Sequence, residues 1–393
     1  MENNKVDQST IKEFNKKQIL SLLRQKEVMV KRELSKELGV SVPTVISNTN
    51  ELIKDGIIEE AGVATSTGGR KPVVLRFLKN ARYAFGVDLM TGKKVRIVLL
   101  NLNYEVICDR SFDFDGEYEF SELMERISIE VQKILSTMAI NKSKILGIGF
   151  SVPGTVNEET KVLEIAPNLS LTNVDFNNYQ IMFDFPIYVE NESNVAAYAE
   201  YKMGVCKNDS DMVYISVNEG IGAGVVADNK IYKGHSKRAG ELGHMIIRRG
   251  GNKCVCGRLG CWNAYVSGGA LINAYNKEAG EKIATLREFF QQRKQGDTAA
   301  VKLWKEYIEN MSVGIQSIIH IFDPHYIVLG GEMANYADIL LDELKSRVFD
   351  DTKYYSEKDV CILVSELKED ASVLGAALIP LGKFMDVEAV YTI

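Results

Sequence analysis

Apolar residues recur at helical intervals through the first eighty positions and then give way to strand-like runs. In "IKEFNKKQILSLLRQKE", Ile11, Phe14, Ile19, Leu22 and Leu23 form a stripe that predicts a helix. Leu34 and Leu38 stripe a second segment. Gly39 should stop it, because glycine takes the positive φ of a helix end at little cost. Ser41 is placed to cap the following helix, with Pro43 in its first turn. Val45, Leu52 and Ile53 supply the buried face of that helix, which leaves Thr44, Ser47 and Asn48 for its outer side near the N-terminus. After Gly56, "IIEEAGVATSTGGRKPVVLRF" reads as strand, turn, strand, with Arg70 and Lys71 on a glycine-loosened tip. Helix, turn, helix and wing is the layout that lays its second helix in the DNA major groove. Ser41, Thr44, Ser47 and Asn48 are therefore candidate DNA contacts, and Arg70 and Lys71 can reach phosphates or a narrow minor groove. The competing reading is a helical hairpin used for protein contacts.

From about residue 82 strands alternate with long helical stretches. "ARYAFGVDLMTGKKVRIVLLNLNYEVI" holds two β-rich runs, and "ILGIGFSVPGTVN" is a strand entering a Pro-Gly turn. "FPIYVENESNVAAYAEY" is a strand leading into a helix, and "DMVYISVNEGIGAGVVADNKIY" is a hairpin. "HYIVLGGEMAN" is a strand ending in two glycines. Helices are expected over 120–138, 264–278 and 297–322. This is an α/β pattern with two lobes, in which ligands lie in the crevice beyond the strand ends. The expected organisation is a winged helix over 1–80, a first lobe over 81–195 and a second over 196–393, with the last helix packing back on the first lobe.

Composition narrows the classes. Hydrophobic residues make up 46% of the chain and charged residues 25%, as in ordinary globular proteins. No apolar run reaches the length of a membrane span, and the polar start "MENNKVDQST" is not a secretion signal, so the cytoplasm is the expected location. The net charge of -6 is uneven: residues 1–80 carry 14 Lys and Arg against 10 Asp and Glu, and the remainder 33 against 43. The basic excess coincides with the winged-helix pattern. Half of the six cysteines fall within "CVCGRLGC", as Cys254, Cys256 and Cys261, ten residues after His244. Thiolate and imidazole suit zinc in a closed tetrahedral site. These four residues are thus expected to hold a structural Zn2+ with no open position for catalytic water. Cys108, Cys206 and Cys361 stand apart and read as small buried hydrophobes.

The first eighty residues resemble the winged-helix domain of repressors in the ROK family (repressors, open reading frames, kinases). "AGELGH" and "CVCGRLGC" resemble that family's signature, and "VPGTVN", "APNLSL", "VENESN", "NEGIGAGV" and "IVLGGE" follow in the family's order. The resemblance implies the two-lobed actin-like sugar-kinase (ribonuclease H-like) fold, closing on a sugar, with a structural zinc. It also implies sugar contacts from Asn168, Asn191, Glu192, Glu241 and His244, with Asn263 where the family usually has Glu. Three departures touch phosphoryl transfer. Glu192 stands at the general-base position that the family fills with Asp, and its extra methylene displaces the carboxylate by about 1.5 Å; misplacement near 1 Å can cost roughly 100-fold in rate. Met90 in "DLMTG" replaces a glycine of the phosphate loop, and Glu219 in "NEGIG" places a carboxylate where a phosphate would lie.

These observations imply no catalytic residues and a DNA-binding repressor that holds operator DNA as a homodimer and releases it on binding a monosaccharide. Glu192 resembles the xylose-responsive branch, so xylose is the expected effector and glucose the alternative. An active ATP-dependent sugar kinase with a DNA-binding appendage is the competing expectation. A third keeps the DNA binding but takes a protein signal.

Overall fold

The computed structural model of this 393-residue chain describes residues 8–63, 73–89, 94–113, 119–166, 169–206, 211–280, 282–350 and 352–386. The first apolar stripe folds as α1 (Gln8–Lys26). Ile19, Leu20 and Leu23 are buried, whereas Ile11 and Phe14 stay exposed. A short strand not anticipated from sequence, β1 (Val28–Val30), precedes α2 (Lys31–Leu38), which Gly39 ends with φ of 66°. The third helix, α3 (Val42–Lys54), begins as expected: Ser41 Oγ accepts the Thr44 N–H at 3.2 Å. The wing strands β2 (Ile58–Val63) and β3 (Val73–Phe77) complete a sheet in the order β1-β3-β2.

The next sheet is built from β4 (Tyr83–Leu89), β5 (Lys94–Asn101) and β6 (Val106–Asp113). Helix α4 (Phe120–Thr137) then leads to β7 (Ile145–Val152). A small antiparallel sheet of β8 (Thr155–Asn157), β9 (Val162–Ala166) and β10 (Leu171–Asp175) interrupts before β11 (Ile187–Asn191) runs into α5 (Glu192–Met203). The order is β11-β7-β4-β5-β6, with β11, β7 and β4 parallel. Every residue of β4 is buried because both faces are covered. Phe85 and Val87 pack with Ile127 and Val131 of α4, and Ala84 packs on the opposite side.

The second large sheet contains β12 (Met212–Val217), β13 (Ile221–Ala227) and β14 (Lys230–Ile231). The helices α6 (Asn263–Val266), α7 (Gly268–Ala279), α8 (Leu286–Lys294) and α9 (Thr298–Phe322) follow. The helix expected over 264–278 is broken in two, because Ser267 caps α7 by accepting the Ala270 N–H. The chain continues through β15 (Tyr326–Gly330), α10 (Ala337–Phe349), β16 (Cys361–Val364) and α11 (Ala371–Met385). The order is β14-β13-β12-β15-β16.

Helix α11 returns to the first sheet, and glycine sets how closely. A Cβ on Gly149 would lie 1.9 Å from the Ala376 carbonyl oxygen, and one on Gly86 2.2 Å from that of Val373. The winged helix shares the apolar core that contains α5 and α11, with Ile19 and Leu23 in one cluster with Tyr198 and Leu378. Lys17 Nζ donates to the Lys383 carbonyl at 2.8 Å, the Arg24 guanidinium sits 4.1 Å over the Tyr104 ring, and Arg82 Nη2 donates to the Asp55 carbonyl. Among the described residues no helix is long and apolar enough to cross a membrane.

Candidate functional site

A cleft of about 1210 Å³ opens between the two large sheets. One wall is the β11–α5 junction. Asn191 caps α5: its Oδ1 accepts the Ser193 and Asn194 N–H groups at 2.9 and 3.2 Å, and its Nδ2 donates to the Gly154 carbonyl at 2.8 Å. Most of its hydrogen-bonding capacity is spent on the fold, so it offers a ligand at most one N–H. Glu192 is the first residue of α5 and lines the cleft, half-buried. Burial, with the Asp88 carboxylate as a second cause, pushes its carboxyl up to about 7. Asp88 is pushed up to about 6 by burial, against hydrogen bonds from Ser372 and Ser151 and the charge of Arg96.

The facing wall is the β12–β13 turn and the loops beyond it. Asn263 Oδ1 accepts the Ile221 N–H at 2.7 Å, so this residue braces the turn as well as lining the cleft. Glu241 is exposed at the rim, its carboxylate 4.0 Å from His244 Nε2. Asn168, the remaining expected sugar contact, lies outside the described residues, as do Met90, Arg70 and Lys71. Glycines 222 and 224 bring β13 against the first turn of α5. A Cβ on Gly222 would lie 2.0 Å from Ser193 Oγ, and one on Gly224 2.5 Å from the Ser193 carbonyl.

Sequence reasoning missed the ion network that ties the walls together. Lys233, just beyond β14, reaches across to Glu190 on β11 at 2.6 Å and to Glu158 in the β8–β9 turn at 2.7 Å. Lys237 adds Glu159 at 2.9 Å. The side chains of Lys233 and Glu190 are only 10% and 3% exposed, so this contact is poorly screened by solvent. Its partners are 43 and 75 residues apart in the chain, and no local pattern signals them.

His244, Cys254, Cys256 and Cys261 do come together: their ligand atoms all lie within 4.8 Å of one another. His244 Nδ1 faces Cys254 Sγ at 3.6 Å, and Cys256 and Cys261 Sγ are also 3.6 Å apart. A tetrahedral zinc with Zn–S near 2.3 Å requires ligand–ligand edges of about 3.8 Å. Donor types and spacing therefore fit a closed metal site. Gly257 and Gly260 turn the loop with φ of 88° and 87°. The neighbouring Trp262 anchors it, fully buried, with Nε1 donating to the Asn310 carbonyl at 2.9 Å. With Nδ1 turned to the thiols, His244 presents Nε2 toward Glu241 and the cleft.

A second cavity of about 530 Å³ shares Glu192, Asn218 and Glu219 with the first and extends toward α11. Asp88, Glu192, Glu219, Glu332 and Glu369 line it, against a single lysine, Lys368. The first N–H groups of α7, which could otherwise bind an anion, are engaged: Gly268 N–H donates to the Asn218 carbonyl at 2.7 Å and Gly269 N–H to that of Glu219 at 3.3 Å.

The DNA-facing assignments need one correction. Ser41 and Ser47 are exposed and Thr44 is half-buried, its Oγ1 2.8 Å from Ser41 Oγ. Asn48 is only 2% exposed, with Nδ2 donating back to the Thr44 carbonyl, so it is not on the outer side of α3. At 3.6 residues per turn it falls on the stripe of Val45, Thr49 and Leu52 that faces the domain core. The outer face consists of Val42, Pro43, Ile46, Ser47 and Asn50, with Lys54 at its C-terminal end.

The ROK family model matches residues 84–382, more than half of the chain. The chain belongs to the ROK family. A winged helix-turn-helix DNA-binding model matches residues 15–59, over α1, α2 and α3. Among similar proteins, the xylose repressor of Bacillus subtilis (strain 168) is 29% identical, covering 97% of this chain and 98% of that protein. The xylose repressor of Caldicellulosiruptor bescii is also 29% identical, over 93% of this chain and 94% of that protein. A crystal structure of a ROK family transcriptional regulator, a homologue of the Escherichia coli MLC protein, superposes with a TM-score of 0.83 at 25% identity. That match covers 98% of this chain and all of the other, so this ROK protein has the same winged helix and two-sheet body in one arrangement.

Proposed function

We propose that this ROK protein is a transcriptional repressor whose grip on operator DNA is released by a monosaccharide bound between its lobes. Xylose is the first candidate, as in the names of the full-length relatives, and glucose the second. The observation that carries the reading is the path from cleft to DNA-binding domain. Helix α5 starts at Glu192 in the cleft, and α11 starts beside Asp88 through Ser372. Both pack into the core that contains α1. Closing the lobes (81–195 with α11, and 196–393 without it) on a sugar would shift these helices and re-space two recognition helices in a homodimer. His244 Nε2, Glu241 and Glu192, with the remaining amide N–H groups of Asn191 and Asn263, are the groups available to sugar hydroxyls, with Asn168 as a further contact. His244, Cys254, Cys256 and Cys261 would hold a structural zinc that fixes the loop carrying this edge of the cleft.

One observation favours kinase activity: a carboxyl near 7 at Glu192 suits a general base. Against it stand five carboxylates around the cavity where a triphosphate would lie, and helix α7 donors already engaged. A thermal-shift screen of monosaccharides tests the repressor reading. The effector should add about 2.7 kcal/mol of stability at 100 times its dissociation constant and should then release bound DNA. Steady ADP formation from ATP with one aldose would establish the kinase reading instead, and a panel without any shift would point to a protein signal.

A further inference from the structure

The outer face of α3 carries a chemistry that the cleft does not use. Val42 and Ile46 stand one turn apart and are 37% and 39% exposed. Pro43, Ser47 and Asn50 complete this face and are also exposed. The one charged side chain in register with it is Lys54, exposed at the C-terminal end of the helix, one turn beyond Asn50. Glu51 is turned toward Lys12 and Lys16 on α1. In the major groove, guanine is read by arginine or lysine at O6 and N7, adenine by asparagine at N6 and N7, and the thymine 5-methyl by apolar contact. A face with two branched hydrocarbons and one amide, its only cation a turn beyond them at the helix end, matches A·T pairs. Valine and isoleucine are stiff at χ1, so their methyl groups are held in place. Helix α2 presents exposed Arg32 and Lys36, which suit the phosphate backbone.

We infer that Val42 and Ile46 read neighbouring thymine methyl groups in the major groove, with Asn50 on an adenine further along, so that each half-site is specified as a run of A·T pairs. This inference rests on the DNA-binding reading above and deepens it.

The test uses the full chain and a duplex selected from a random pool. Selected half-sites should contain A·T pairs without guanine under α3. Replacing a contacted thymine by deoxyuridine removes only the methyl and should weaken binding about fourfold, or about 15-fold when both half-sites are changed. Ile46→Ser and Val42→Ser should each abolish the sensitivity at one thymine, while Ile46→Val keeps most of it. Both side chains are exposed, so Tm and metal content should stay at wild-type values. Binding that ignores uridine, or selected guanines under α3, would overturn this inference and leave the repressor reading standing. Failure to select any duplex would overturn both, as would a chain that binds no duplex and uses this face to associate with itself.

Discussion

The two compartments of the cleft were built from one scaffold and now differ in chemistry. The larger, beside the cluster of His244 and three cysteines, mixes carboxylates with Lys233, Lys237 and Arg238 and has His244 and, at its rim, Glu241 in its lining. The smaller sets Asp88, Glu192, Glu219, Glu332 and Glu369 against Lys368 alone. Neutral hydroxyls can pair with the first set. A triphosphate would meet the second as like charge in a partly desolvated space. The difference teaches that a family fold fixes where a ligand sits, while the charge lining each compartment decides which ligand stays.

The most severe way to break the comparison is to remove the metal site. Cys261→Ser should lose bound metal, about one equivalent per chain, and destabilise the second sheet and its helices. The expected cost is on the order of 5 kcal/mol or more, since structural zinc supplies about 10–16 kcal/mol in small zinc domains. Elemental analysis and Tm check it, and wild-type Tm with no metal would contradict it. Next is Lys233→Met, which leaves Glu190 without its cation and Glu158 with Lys237 alone, at 3.3 Å. Breaking a buried pair from one side costs roughly 3–5 kcal/mol. Denaturant unfolding should register that loss, and Glu190→Gln in the same chain should recover part of it.

The smallest effect is the most specific to the acidic compartment. Glu192 is near 7 in the folded chain and 4.5 when unfolded. Its contribution to stability is complete below pH 4.5 and is lost as pH rises through 7. Glu192→Gln should therefore be more stable than wild type by about 2 kcal/mol at pH 8, with the gain vanishing toward pH 4.5. A gain independent of pH, or one that grows on acidification, would mean that the carboxyl is not held in this strained environment.

Local signals were legible where one residue type has one physical use. Gly39 and Ser41 marked the ends of helices because positive φ and an N-cap oxygen are local needs. The Cys and His spacing announced that four metal-type donors would converge, because a zinc site would require them close together. Asn48 was misplaced because it is polar, although its register with Val45 and Leu52 turned it inward. Asn191 and Asn263 line the cleft as expected of ligand contacts, and each also braces backbone in a segment far from it in sequence, a second use that no local pattern signals. The Lys233 network and the crowding of carboxylates around the second cavity arise only when the two sheets meet.

The central claim is that the cleft answers to a sugar and not to a nucleotide. It is tested most directly by titrating xylose, and then other aldoses, into the full chain bound to a fluorescent operator duplex, with and without Mg-ATP. The account predicts release by one sugar alone, an operator affinity reduced by up to about 10⁴-fold, an unchanged curve with ATP, and no ADP. Release that requires ATP, or that accompanies sugar phosphorylation, would contradict it.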